Sequence, residues 1–147
     1  RRVISSDANQ DVSRNMNGLR VICIDNDNNI LEGMAGLLSK WNCETITAMS
    51  GNAAVSALAD ITKNGDALPS IALVDFHLDK ETGLDVIKRI RKEISDDITF
   101  VLVTADRSNE LKKKSESVGV GVLNKPVKPA ALRALLSQIQ LQKRAAE

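Results

Sequence analysis

Four polar side chains follow four separate apolar segments, and their types suit phosphoryl transfer. Asp25, Asp75, Thr104 and Lys125 stand at or just after the ends of these segments. A lone Asp at such a place is as often only a turn former or helix cap, but that reading does not explain four suitable residues on four segments. Asp75 could act as a carboxylate nucleophile, provided that charge on the transferring oxygens is neutralised.

The neighbours of Asp75 could supply that neutralisation. A Mg²⁺ ion held by Asp25 and Asp75 would supply positive charge, with other oxygen ligands and waters completing its octahedral coordination shell. Lys125 would be a second positive centre, and the Thr104 hydroxyl could donate a hydrogen bond to a phosphoryl oxygen. The sequence therefore predicts a phosphorylation site centred on Asp75.

From Leu19 onward, short segments typical of β-strands alternate with longer segments of helical period, and these elements must position the four residues. The strands are expected at residues 20–24, 44–48, 71–74, 99–103 and 120–123. The helices are expected at about 30–41, after Ser50, after Thr82, at about 109–118, and from Pro129 past Leu141. Asn28 is the expected cap of the first helix, whose inward face includes Ile30.

This alternation predicts an α/β fold, a doubly wound, flavodoxin-like parallel sheet of five strands in the order 2-1-3-4-5. The predicted site lies beyond the carboxyl ends of strands one and three. The chain has 147 residues, enough for one domain, and we expect a polar linker at 1–17, the domain at 18–143 and a tail at 144–147. Because residue 1 is Arg and not Met, we expect the chain to be part of something longer.

The composition excludes several classes of function. Twenty basic residues oppose nineteen acidic ones, and aromatic residues are few, so we expect no nucleic-acid partner. No apolar segment is long enough to span a membrane, so we expect no direct membrane contact. Cys23 and Cys43 lack a CxxC spacing and are read as packed thiols in a reducing, cytoplasmic protein.

The motifs around these residues resemble those of the receiver domains found in response regulators and hybrid histidine kinases. The segments that carry the resemblance are Ile24-Asp25-Asn26-Asp27, Leu73-Val74-Asp75 with Gly83 eight residues later, Val103-Thr104-Ala105 and Asn124-Lys125-Pro126. The resemblance spans about residues 19–141. It implies that Asp75 accepts a phosphoryl group from the phosphohistidine of a histidine kinase or phosphotransfer domain, with Mg²⁺ as cofactor.

The same resemblance implies roles for the surrounding residues. Asp25 helps to hold Mg²⁺, the backbone carbonyl of His77 is a metal ligand, and Thr104 and Lys125 sense the acyl phosphate. The peptide bond before Pro126 is expected to be cis. The imidazole of His77, the only histidine, is expected to modulate the site at most.

Three positions depart from the family pattern. Asn26 stands where a second carboxylate normally contacts the metal, and its amide oxygen can bind Mg²⁺ but adds no charge. Val122 stands where an aromatic switch residue is common. The loop after Asp75 reads Phe76-His77-Leu78-Asp79-Lys80 and lacks a proline that many relatives carry, which leaves it less restrained.

Two alternative functions stay open on the sequence. Asn26 and Val122 are compatible with a pseudo-receiver, which keeps the fold as a protein-binding module without being phosphorylated. Asp25-Asn26-Asp27 also copies the DxD motif of haloacid dehalogenase-type phosphohydrolases, but that reading leaves Asp75 without a role. We expect the C-terminal receiver of a hybrid histidine kinase, with a stand-alone regulator as the alternative. As an isolated domain it is expected to catalyse no more than its own phosphorylation and dephosphorylation.

Overall fold

The computed structural model describes residues 16–146, with side chains described through residue 142. Five strands and five helices alternate along this part of the chain. The strands are β1 (Arg20–Ile24), β2 (Glu44–Ala48), β3 (Ile71–Asp75), β4 (Thr99–Thr104) and β5 (Gly121–Asn124). The helices are α1 (Asn28–Lys40), α2 (Gly51–Lys63), α3 (Gly83–Glu93), α4 (Asn109–Ser117) and α5 (Pro129–Ala146).

The strands form one parallel sheet in the order β2-β1-β3-β4-β5, which confirms the predicted topology. The two faces of the sheet bury different sets of side chains. Ile22, Ala72 and Val74 point to the face covered by α2, α3 and α4. On the opposite face, Val21 and Leu73 pack with apolar residues of α1 and α5. Helices on both faces explain why the central strands are continuous apolar runs.

The start of α1 differs from the sequence prediction in two respects. Its N-cap is Asp27, not Asn28, because the Asp27 carboxylate accepts a hydrogen bond from the Asn29 N–H at 2.9 Å. Ile30, predicted to face the core, is 38% exposed, whereas Leu31 is 2% exposed. Leu31 and Leu38 are seven residues apart and lie on one line along the helix, while Ile30 is turned away by about 100°.

The ends of the predicted domain are only partly within the described residues. Residues 1–15 of the expected linker, and Glu147 of the expected tail, lie outside them. Met16 is fully buried, and its carbonyl lies 3.7 Å from the Cys43 sulfur. Helix α5 continues to Ala146, past the expected boundary at residue 143. In residues 16–146 we find no helix with the length and apolar character needed to cross a lipid bilayer.

Candidate functional site

Two buried carboxylates share one lysine at the carboxyl edge of the sheet. Asp25 follows β1, Asp75 ends β3 and Lys125 follows β5. The Lys125 Nζ lies 2.6 Å from Asp75 Oδ1 and 3.6 Å from Asp25 Oδ2. The two aspartates are only 6% and 4% exposed, so each charge needs a nearby counter-charge. The structure thus brings together three of the residues predicted from the sequence.

The electrostatics of this cluster reflect its burial. Burial raises the pKa of the Asp25 carboxyl, and the negative charge of Asp75 adds to that effect, while the Asp27 N–H and Lys125 oppose it. For Lys125, burial alone lowers the pKa, but the hydrogen bonds and charges of Asp75 and Asp25 outweigh it and raise the pKa above its ordinary value. Lys125 therefore stays protonated, as a counter-charge at this site must.

Thr104 ends β4 at the same edge and is fully buried. Its hydroxyl oxygen accepts a hydrogen bond from the Asp106 N–H at 3.0 Å, so the hydroxyl proton remains able to donate elsewhere. Its backbone carbonyl accepts the Lys125 N–H at 2.8 Å and the Asn124 side-chain amide at 3.3 Å. Thr104 and Lys125 are thus joined through a backbone hydrogen bond. The Thr104 hydroxyl itself accepts from the Asp106 N–H and is not hydrogen-bonded to Asp25 or Asp75.

Gly83 allows α3 to begin directly beside Asp75. A Cβ atom at Gly83 would lie 2.5 Å from the Asp75 carbonyl oxygen and 2.8 Å from the Leu102 side chain, distances that real Cβ atoms do not adopt. The Gly83 N–H donates to the Phe76 carbonyl at 2.8 Å, which closes the loop after β3. The next residues continue as a helix because Thr82 and Asp85 form a capping box.

The remaining predicted ligands, Asn26 and His77, lie in loops. Both side chains are exposed, and the His77 ring packs edge-on against Phe76 with 4.9 Å between centroids. The hydrogen bond that closes the loop after β3 uses the Phe76 carbonyl, so it does not occupy the carbonyl of His77. The side chains of Asn26 and His77 are thus exposed, whereas those of the two carboxylates are buried.

A restraint on the loop after β3 was missed by the sequence reasoning. Glu81 Oε2 accepts a hydrogen bond from the Gly51 N–H at 3.1 Å, at the start of α2. A Cβ atom at Gly51 would lie 2.7 Å from the same oxygen. The Glu81 carboxylate thus ties the end of this loop to the start of α2. The two residues are thirty positions apart, and only the Gly at the helix start could have hinted at the contact.

The residues present suit a small hard cation. Within residues 16–146, no group of three or more His, Cys, Asp or Glu side chains forms a metal cluster. Mg²⁺ commonly needs only one or two carboxylates, because carbonyl oxygens and waters complete its shell. The convergence of Asp25 and Asp75 on one ammonium group marks where positive charge is favoured. The donor set therefore fits Mg²⁺.

The peptide bond between Lys125 and Pro126 is cis, as the resemblance implied. The Lys125 carbonyl accepts a hydrogen bond from Arg107 at 3.4 Å. Lys125 is therefore held on its backbone from both sides, by Thr104 through its N–H and by Arg107 through its carbonyl.

Comparisons with known proteins agree with this geometry. The sequence model of the response regulator receiver domain family matches residues 21–137. Ethylene receptor 2 of Arabidopsis thaliana is 26% identical over 128 residues, which are 86% of this chain but only 16% of that receptor. A CheY-like receiver domain protein of Methanospirillum hungatei has a TM-score of 0.77 at 19% identity, covering 88% of this chain and 99% of that one. A chemotaxis protein of Vibrio cholerae has a TM-score of 0.70 at 25% identity, covering 83% and 98%.

Proposed function

The chain belongs to the response regulator receiver domain family of two-component signalling, whose members are phosphorylated on an aspartate, and on that premise we propose that Asp75 is the phosphoacceptor. The observation that carries the proposal is the ion pair of 2.6 Å between Asp75 Oδ1 and Lys125 Nζ, with Asp25 Oδ2 only 3.6 Å from the same nitrogen. Asp75 alone among these residues combines a carboxylate with a place at the end of the central strand β3.

In the proposed reaction, a carboxylate oxygen of Asp75 attacks the phosphorus of a phosphohistidine. A P–O bond forms and the P–N bond breaks, and the leaving imidazole nitrogen keeps the electron pair and takes a proton from solvent. Lys125 moves its hydrogen bond from the carboxylate to a phosphoryl oxygen, and the Thr104 hydroxyl donates to another. The product is an acyl phosphate on Asp75.

We propose that Asp25 and Asp75 hold Mg²⁺, with the Asn26 amide oxygen and the His77 carbonyl as neutral ligands. When bound, the ion supplies positive charge at the transferring oxygens. Asp25 is prepared for this role because the Asp27 N–H orients its Oδ1 at 2.9 Å. Asp27 itself is engaged as the cap of α1, so the proposed metal site has two carboxylates and not three.

The proposed partner is a histidine kinase or a phosphotransfer domain that carries the phosphohistidine. Similarity to part of ethylene receptor 2 supports a receiver within a hybrid histidine kinase, with a free-standing regulator as the second possibility. We further propose a cytoplasmic location, with the receiver fold within residues 18–143 and the last turn of α5 continuing to Ala146. Family membership and the strand order leave no basis for the haloacid dehalogenase alternative.

The proposal predicts that Asp75→Asn abolishes phosphorylation, because no other carboxylate among residues 16–142 has the same neighbours. The chain would be incubated with acetyl phosphate and Mg²⁺, or with a cognate kinase, and the acyl phosphate followed by its lability to base. Asp79→Asn is the matched control, since Asp79 is an exposed residue of the adjacent loop. Base-labile phosphate that persists on the Asp75→Asn chain would refute the assignment.

Folding and competence are tested separately. Asp75→Asn should leave the circular dichroism spectrum unchanged. The loss of the ion pair with Lys125 is offset by the loss of charge repulsion between Asp75 and Asp25. Beryllofluoride, which mimics the acyl phosphate, should bind the parent chain and not this variant, as followed by ¹⁹F NMR. Failure of the parent to bind it would favour the pseudo-receiver function instead.

A further inference from the structure

A groove between α3 and α4 shares none of its lining residues with the proposed phosphorylation site. It encloses a cavity of about 220 Å³, and Leu84, Ile87 and Val118 form its apolar lining. Val118 is 44% exposed, one of the large apolar side chains left open to solvent. Cavities that hold drug-sized ligands typically measure about 300–1,000 Å³. The smaller size here suits a single apolar side chain inserted by a partner protein.

The two helices that form the groove carry an excess of positive charge. Helices α3 and α4 carry seven Lys or Arg residues against four Asp or Glu, an excess of three, whereas the whole chain has twenty against nineteen. Lys88 and Lys114 line the groove and are exposed. Among the described residues, neither lysine has an ion-pair partner within 4 Å. Their charge is therefore available to a negatively charged partner.

The acidic residue of the groove does not cancel this charge. The Asp85 carboxylate accepts the Thr82 N–H at 3.1 Å as half of the capping box. That hydrogen bond lowers the pKa of Asp85, and the nearby Lys88 and Lys114 lower it further. One acid already engaged with the helix start faces two unpaired lysines, so the groove keeps a net positive charge.

Arg91 holds the two walls of the groove in place. Its Nη1 donates to the Val118 carbonyl at 2.6 Å, at the C-terminal end of α4. Its guanidinium lies 5.2 Å from the centre of the Phe100 ring, beneath α3. Because the cleft is formed before any partner arrives, little ordering free energy is lost on binding.

We propose that the groove between α3 and α4 docks an acidic segment of a partner protein, which inserts one aliphatic side chain against Leu84, Ile87 and Val118. Lys88 and Lys114 attract carboxylates on either side of that anchor. The inference goes beyond the proposed function and does not depend on it. Docking is expected in the unphosphorylated chain and equally in Asp75→Asn.

The test uses a synthetic, fluorescein-labelled peptide with a central leucine flanked on both sides by glutamates. It is titrated into the ¹⁵N-labelled 147-residue chain. Amide shift changes are expected at Leu84, Ile87 and Val118, together with a rise in fluorescence anisotropy. Replacing the glutamates by lysines, or the leucine by serine, should weaken binding at least about tenfold.

The matched variants separate the groove from general charge. Lys88→Glu with Lys114→Glu should weaken binding by about tenfold or more, whereas Lys40→Glu with Lys63→Glu, an equal charge change at the ends of α1 and α2, should change it less than about twofold. Val118→Ser should weaken binding while the circular dichroism melt stays close to that of the parent. Equal weakening by both double variants, shift changes at another surface, or no binding by the parent would overturn the proposal.

Discussion

The groups at the strand ends and the groups in the adjacent loops are held in different ways. Asp75 ends a strand that is buried along its whole length, and Lys125 is bound on its backbone to Thr104. Asn26 follows Asp25 by one residue and His77 follows Asp75 by two, yet both side chains are exposed. The comparison teaches that the sheet fixes the proposed nucleophile and its counter-charge, while the proposed neutral metal ligands depend on loops.

Removing the strand-end counter-charge should have the largest effect. Lys125→Met keeps the length of the side chain but removes its charge, so phosphorylation by acetyl phosphate should slow on the order of a hundredfold, as for loss of a preorganised oxyanion partner. Initial rates would be measured at saturating Mg²⁺. Lys128→Met, an exposed lysine three residues later, is the control. Equal rates in the two variants would show that Lys125 does not act on the transferring group.

Disturbing the junction of β3 and α3 should have the next largest effect. Gly83→Ala places a methyl group against the Asp75 carbonyl and should lower the free energy of unfolding by about 2–3 kcal/mol. Gly33→Ala in α1, where a Cβ atom meets nothing within 4 Å, should instead raise it by up to about 1 kcal/mol. Urea unfolding measures both. A neutral Gly83→Ala would mean that α3 can shift away from the strand end.

Adding charge in the loop after β1 should sharpen the comparison. Asn26→Asp should tighten Mg²⁺ binding by roughly tenfold, about 1.4 kcal/mol, because a carboxylate replaces a neutral ligand. The Asn28→Asp variant is the control, since it adds the same charge two residues later on the exposed start of α1. Isothermal titration calorimetry gives both affinities. No gain over the parent would place Asn26 outside the first coordination shell.

Releasing the loop after β3 should have the smallest effect. Glu81→Ala removes the carboxylate from the N-terminus of α2 and should cost about 0.5–1 kcal/mol of unfolding free energy. Amide hydrogen exchange in residues 76–82 should become several-fold faster, because the loop loses its contact with Gly51. Asp79→Ala in the same loop is the control. Unchanged exchange after Glu81→Ala would show that other contacts restrain the loop.

The sequence predicted the sheet and the strand-end residues because both follow from periodicity. Apolar segments identify the strands, and parallel strands must bring their carboxyl ends to one edge, so Asp25, Asp75, Thr104 and Lys125 could be placed there in advance. The site assignments themselves remain predictions. The structure adds the distances between these side chains, such as the 2.6 Å from Lys125 Nζ to Asp75 Oδ1, which residue spacing along the chain cannot give.

Choices between neighbouring residues and contacts between distant ones were not predictable in the same way. Asp27 and Asn28 are both good caps, and only the path of the chain selects Asp27. Ile30 and Leu31 are both apolar, and the rotation of α1 decides which is buried. The contact between Glu81 and Gly51 joins two segments whose separation depends on how α2 and α3 pack.

The hydrogen bond from the Lys125 N–H to the Thr104 carbonyl has a kinetic consequence. It couples the last residue of β4 to the residue after β5, because a large shift of either backbone would break this hydrogen bond or move the other backbone with it. Thr104 and Lys125, proposed to bind different oxygens of one phosphoryl group, would then change conformation together. In an NMR relaxation experiment, they would share a single exchange rate constant.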